Sequence, residues 1–138
     1  MTKPSPQVNP RSIPVLSIVL AEEHGALSNV LEGPLCPGGR WKIETCRSLP
    51  SALHRLGKSR IPIVLWDGDL EPGILIEMLE KLERLPAPPL LIVTSRIADD
   101  RLWAEALDHG AYDVLAQPFD TNEVARTLSS AWRHWANQ

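Results

Sequence analysis

The sequence predicts a doubly wound α/β domain, in which a five-stranded parallel sheet carries helices on both faces. Three observations lead to this fold class. Short apolar runs alternate along the chain with segments of helical periodicity, which is the order of strand–helix–strand units. The first, third and fourth runs are nearly continuous in apolar residues, as expected of strands buried on both faces. A length of 138 residues with 43% hydrophobic content fits one domain.

Five segments have the apolar character of strands. They are VLSIVL (15–20), WKIETC (41–46), IPIVLW (61–66), LLIVT (90–94) and YDVLA (112–116). The preceding residues, 1–14, contain four prolines and no hydrophobic period, a composition typical of disordered tails. We therefore predict a proline-rich disordered tail over 1–14 and a domain over 15–138.

Each predicted strand is followed by a predicted helix with an apolar stripe. The five stripes lie within residues 26–31, 49–56, 74–82, 102–107 and 124–135. Ser48 and Asp120 occupy positions typical of N-caps, and Asp99 favours the start of the fourth helix. Pro86 ends the third helix and Gly110 ends the fourth. The order of strand followed by helix is thus predicted five times.

Charge and composition argue against several classes of function. The net charge is −3 and the basic residues are scattered, so the chain lacks the basic patch of a nucleic-acid-binding protein. Its apolar runs are far shorter than the ~20 residues of a membrane-spanning helix. Cys36 and Cys46 have no metal-binding or redox spacing, and no secretory signal opens the chain. We expect a cytoplasmic protein that binds neither nucleic acid directly nor membranes.

Polar residues follow the predicted strands at the point where each strand ends. Glu22 and Glu23 follow the first strand, Asp67 the third, Thr94 the fourth and Gln117 the fifth. In an open parallel sheet these carboxyl ends lie at one edge, where ligands bind. Clustered carboxylates repel one another unless a cation neutralises them, and Mg²⁺ binds through carboxylates, waters and substrate phosphates. The sequence therefore predicts a magnesium site that would attract a phosphoryl group.

The arrangement of these residues resembles the receiver domain of response regulators, the CheY-like superfamily. The most specific part is ALDHGAYDVLAQPFDTNEV (106–124). It resembles the family's run from the fourth helix through the fifth strand to a normally cis proline and the fifth helix. The resemblance covers residues 15–136 and implies a flavodoxin-like fold with strand order 2-1-3-4-5.

The resemblance also implies a role for each residue of the edge. Asp67 would be the phosphoacceptor of a two-component phosphorelay, attacking a phosphodonor as a carboxylate nucleophile. Glu22, Glu23 and Asp67, with the backbone carbonyl of Asp69, would hold Mg²⁺. Thr94 would be the switch hydroxyl that reports phosphorylation to the face of the fourth helix, fifth strand and fifth helix.

The implied partners are a histidine kinase or phosphotransfer protein as donor and a downstream protein that reads this face. A homodimer is compatible with the same face. The domain would not be an enzyme beyond its own phosphorylation and dephosphorylation.

The sequence departs from the family's pattern at several positions. Gln117 stands where the family ordinarily has lysine, which removes a full positive charge, because an amide donates hydrogen bonds without neutralising an anion. Glu22 and Glu23 replace the commoner Asp, and Val114 stands where many receivers carry an aromatic switch residue. These departures favour the description of an atypical receiver.

Two other interpretations remain open at this point. A phosphorylation-independent pseudo-receiver would use the same fold face as an interaction module, as the neutral Gln117 favours. A haloacid dehalogenase-like phosphatase, the remote alternative, would use Asp67 as nucleophile and Asp69 as acid or base. In that family the motif closes the first strand and continues with Thr or Val, whereas this chain has Leu70. For Asp69, a cap on the following helix is the simpler interpretation.

Overall fold

A computed structural model describes residues 13–18, 41–67, 74–97 and 99–137 of the chain. The strands are β1 (Ile13–Ile18), β2 (Trp41–Cys46), β3 (Ile63–Asp67), β4 (Leu90–Ser95) and β5 (Asp113–Ala116). The helices are α1 (Leu49–Lys58), α2 (Leu75–Glu83), α3 (Asp100–Asp108) and α4 (Thr121–Ala136). The last two are the fourth and fifth helices predicted from the sequence. The first predicted helix, over 26–31, and residues 1–12 of the predicted tail lie outside the described residues.

The strands form one parallel sheet in the order β2-β1-β3-β4-β5. This confirms the predicted fold class and the strand order that the resemblance implied. The chain passes from β1 to one side of the sheet for β2 and then to the other side for β3. Strand order therefore reverses between β1 and β3, and a crevice opens at the carboxyl ends of strands at such a reversal point.

The sheet separates two hydrophobic clusters, because alternate residues of each strand point to opposite faces. One cluster joins Leu16, Val64 and Val93 of the sheet to the buried sides of α1, α2 and α3. The other joins residues of the sheet's second face to α4, and its described buried members are Ile13, Val15, Trp41, Ile63, Leu65, Ile92, Leu115, Val124, Leu128 and Ala131. The sheet is thus covered on both faces by helices.

Side-chain caps begin three of the helices. The Ser48 hydroxyl accepts from the backbone N–H of Ser51 at 3.3 Å. The Asp99 carboxylate accepts from Leu102 N–H at 2.9 Å, and the Asp120 carboxylate accepts from Glu123 N–H at 3.0 Å. Each bond satisfies a donor that the first helical turn leaves unpaired. The predicted helix starts at these residues are confirmed.

α4 is the longest described helix, at 16 residues, and its last turn is fixed to the amino end of the sheet. The indole N–H of Trp135 donates to the carbonyl of Pro88 at 3.0 Å, just before β4. The Arg60 guanidinium lies 5.2 Å from the Trp135 ring centroid, and Trp132 stacks on Trp135 at 5.9 Å. These contacts hold α4 across the second face. Neither α4 nor any other helix in the described ranges is long and apolar enough to cross a membrane.

The structure differs from the sequence prediction at two elements. β1 begins at Ile13, two residues earlier than predicted, so Ile13 and Pro14 belong to the sheet. Leu107, part of the predicted inward stripe of the fourth helix, is 44% exposed. In α3, Ala106 is buried and Leu102 packs half-buried against the same cluster, whereas Leu107, one position further around the helix, faces outward.

Candidate functional site at the carboxyl edge of the sheet

The ends of β3, β4 and β5 bring three of the predicted site residues together. Asp67 is the last residue of β3 and lies in register with Thr94 of β4. Thr94 is in turn in register with Leu115 of β5, two residues before Gln117. Because side chains alternate along a strand, Asp67 shares the sheet face of Leu65, and Thr94 shares that of Ile92. Both belong to the face covered by α4.

The two strand-end residues are almost fully buried. Asp67 is 1% exposed and Thr94 is 2% exposed. A carboxylate this deeply buried remains ionised only where hydrogen-bond donors or cations compensate for lost water. Strand propensity does not explain an aspartate in the third, otherwise wholly apolar strand, since Asp is depleted in strands. Strand propensity and burial alone therefore do not account for Asp67 at this position, and its role as phosphoacceptor stays a prediction.

A hydrogen-bond chain links the carboxyl ends of β3, β4 and β5. The side-chain amide of Gln117 donates to the Thr94 hydroxyl at 3.5 Å, and that hydroxyl donates to the Trp66 carbonyl at 3.5 Å. The backbone N–H of Gln117 donates to the carbonyl of Ser95 at 2.9 Å. The Gln117–Pro118 peptide bond is cis, as the resemblance implied. Gln117 is therefore held against β4 by both its backbone and its side chain.

The predicted magnesium ligands fall mainly outside the described residues. Glu22, Glu23 and Asp69 are not among them, so the proximity of these residues to Asp67 stays a prediction. Within the described ranges there is no group of three or more His, Cys, Asp or Glu residues that could hold a metal. Asp67 itself fits such a site, because it presents carboxylate oxygens at the sheet edge and Mg²⁺ prefers oxygen ligands.

The structure also places residues at this edge that sequence reasoning missed. Arg96 directly follows β4 and is exposed, so it brings a positive charge two residues beyond Thr94. Ser17 lies in β1 in register with Leu65, is fully buried, and its hydroxyl has no hydrogen-bond partner within the described part of the chain. In the sequence, Ser17 could have been noticed as the lone hydroxyl residue within the apolar run VLSIVL. In the sheet it lies beside Leu65, two residues before Asp67.

Cys46 is a second possible nucleophile at this edge, but its surroundings lower its reactivity. Cys46 ends β2 as a free, buried thiol. Burial raises the pKa of the Cys46 thiol above its usual value, more than the nearby Ser48 backbone and Arg55 lower it. Because the thiolate is the reactive form, a thiol protonated at neutral pH is a poor nucleophile. The carboxylate of Asp67 is the better candidate.

Comparisons with known proteins agree with this fold. No family model matches the sequence. The chain is 26% identical over 117 residues to the KDP operon transcriptional regulatory protein KdpE of Escherichia coli K12. This match covers 85% of the chain and 51% of KdpE, so the chain spans about half the length of this curated relative.

Solved structures share the architecture at lower sequence identity. A response regulator from Thermotoga maritima matches with TM-score 0.73 and 18% identity over 87% of this chain and 97% of that one. An atypical orphan response regulator, reported to have a phosphorylation-independent regulatory mechanism, matches with TM-score 0.68 and 16% identity over 89% and 98%. CpaE of Burkholderia thailandensis, a putative pilus assembly protein, matches with TM-score 0.62 and 25% identity over 92% and 98%.

The strand order 2-1-3-4-5 of this sheet is also that of the CheY fold. The chain is therefore similar in sequence to a response regulator and has the fold of receiver domains.

Proposed function

We propose that this domain accepts a phosphoryl group on Asp67 and transmits the modification to a partner protein. The proposal rests on three residues that lie together at the carboxyl edge of the sheet: Asp67 and Thr94, which are both buried, and Gln117. The phosphodonor would be a histidine kinase, a phosphotransfer protein or a small acyl phosphate. Transcriptional regulation, named for KdpE, does not transfer, because the match covers only half of that protein.

The reaction is a nucleophilic displacement at phosphorus. A carboxylate oxygen of Asp67 forms the new O–P bond while the bond from phosphorus to the donor breaks, and the donor leaves with its electron pair. Glu22, Glu23 and Asp67, with the Asp69 carbonyl, would hold Mg²⁺, which neutralises charge on the phosphoryl oxygens. The product is an acyl phosphate at the end of β3. In this proposal the domain acts as a signalling module and not as a general enzyme.

The signal would pass from Thr94 to the surface formed by α3, β5 and α4. Thr94 contacts both neighbouring strands through the Trp66 carbonyl and the Gln117 amide. On α3, Trp103 is 42% exposed and Leu107 is 44% exposed, and residues four apart lie on the same side of a helix. Aromatic residues are enriched at protein interfaces. A cytoplasmic partner or a second copy of the chain would bind there.

Intact-mass spectrometry tests the proposed phosphorylation. After incubation with acetyl phosphate and Mg²⁺, we expect the wild-type protein to gain the mass of one phosphoryl group, and the Asp67→Asn variant to gain none. Asn cannot form the acyl phosphate yet preserves the size of the side chain. Chelation of Mg²⁺ should reduce the gain. An adduct of equal yield on Asp67→Asn would refute Asp67 as the acceptor.

A phosphorylation-independent interaction module is the second candidate function. It is favoured by the neutral Gln117 amide, which donates to the Thr94 hydroxyl and brings no positive charge to a phosphoryl group. It predicts no mass gain in either protein at saturating donor and Mg²⁺. The phosphatase alternative has less support, since Asp67 closes the third described strand and not the first.

A further inference from the structure

The Thr94 hydroxyl lies between two polar groups of neighbouring strands. It is 3.5 Å from the side-chain nitrogen of Gln117 and 3.5 Å from the backbone carbonyl of Trp66. Thr94 is 2% exposed, so water does not compete freely for its hydroxyl. The two contacts connect the residue that follows β5 to β4, and β4 to β3.

The chemistry of the groups fixes the direction of each bond. A carbonyl oxygen only accepts, so the single hydroxyl proton of Thr94 is directed at Trp66. The side-chain nitrogen of Gln117 only donates, so it occupies a lone pair of the same hydroxyl. Buried polar groups joined in this way are costly to separate unless new partners replace the old ones.

The Gln117 side chain is itself restrained. Its backbone N–H donates to the Ser95 carbonyl at 2.9 Å. The Gln117 main chain is therefore fixed beside the end of β4, and its amide reaches Thr94 from a fixed origin. An anchored donor loses less conformational entropy on forming the bond than a free side chain would.

We infer that Gln117 is a positioning residue whose side-chain amide holds the Thr94 hydroxyl against the Trp66 carbonyl in the unmodified protein. Any anion bound near Asp67, including a phosphoryl group, would have to compete with the Trp66 carbonyl for the proton of that hydroxyl. The inference goes beyond the proposed function and does not require it, because it concerns the protein before any modification.

NMR on the unmodified full chain tests this inference without a phosphodonor. In the wild type we expect nuclear Overhauser contacts between the Gln117 side-chain amide protons and the Thr94 methyl group. In Thr94→Val, which removes the hydroxyl and keeps the branched shape, the Gln117 amide resonances should shift towards those of solvent-exposed glutamines. Thr45→Val, on the far edge strand β2, should leave them unchanged.

A substitution of Gln117 tests the same contact by removing its donor. Gln117→Met keeps a long unbranched side chain but has no donor, and we expect the Thr94 methyl signal to show rotamer averaging that is absent in the wild type. Unchanged Gln117 amide resonances in Thr94→Val would overturn the inference, as would absence of the wild-type Overhauser contacts. Because no phosphodonor is present, failure of the proposed phosphorylation would leave these outcomes unaffected.

Discussion

The Gln117→Lys variant is expected to accept a phosphoryl group on Asp67 about tenfold faster than the wild-type protein. Lysine adds a positive charge at a position that lies within hydrogen-bonding reach of Thr94. Charge-assisted hydrogen bonds are about twice as strong as neutral ones, a gain of about 1.4 kcal/mol, and that difference corresponds to a factor of ten. The rate would be measured by intact mass over time at fixed acetyl phosphate and Mg²⁺.

Gln117→Met separates the effect of charge from the loss of the amide. It has a similar length to the wild-type side chain but neither charge nor donor, so it should be phosphorylated no faster than the wild type. Equal rates for the Lys and Met variants would show that the charge at this position does not limit the reaction. The fold should be unchanged in both variants, because Gln117 lies beyond the end of β5.

Leu128→Ala is expected to lower the free energy of unfolding by about 2–5 kcal/mol. Leu128 is fully buried in the middle of α4 and packs in the cluster that contains Ile92 and Leu115. Truncation removes apolar contacts and leaves a cavity that the flanking helix and sheet cannot fully close. Urea unfolding followed by circular dichroism would measure the change.

Arg133→Ala is the matched control on the same helix. Arg133 is exposed, so its truncation should change the free energy of unfolding by at most about 0.5 kcal/mol. A similar loss for both variants would contradict the packing of α4 against the second face of the sheet.

Most of the fold could be predicted from local sequence signals. Apolar runs placed the strands within two residues, and Ser48, Asp99 and Asp120 marked the helix starts where caps are observed. The start of β1 was predicted too late because Pro14 suggested a tail. In the sheet, Pro14 is aligned with Lys42 of β2, while the described pairing with β3 begins at Val15. A proline without an N–H is tolerated at such a strand start.

The site could be predicted only in part. The sequence placed Asp67, Thr94 and Gln117 at strand ends, and the sheet order then brought them to one edge. The bond from Gln117 to Thr94 was not predictable, because it depends on the distance between two side chains on neighbouring strands. The exposure of Leu107 was missed for a related reason. Helical periodicity shows which residues share a side but not how wide a stripe the sheet covers.

Borohydride reduction followed by peptide mass mapping tests the central claim most directly. Borohydride converts an aspartyl phosphate to homoserine and leaves an unmodified aspartate intact, so the method reports which residue was phosphorylated. After treatment with acetyl phosphate and Mg²⁺, a site at Asp67 predicts homoserine at position 67 alone. Full phosphoryl incorporation with an intact aspartate at 67, or with homoserine at a different position, would contradict the assignment of this edge as the phosphoacceptor site.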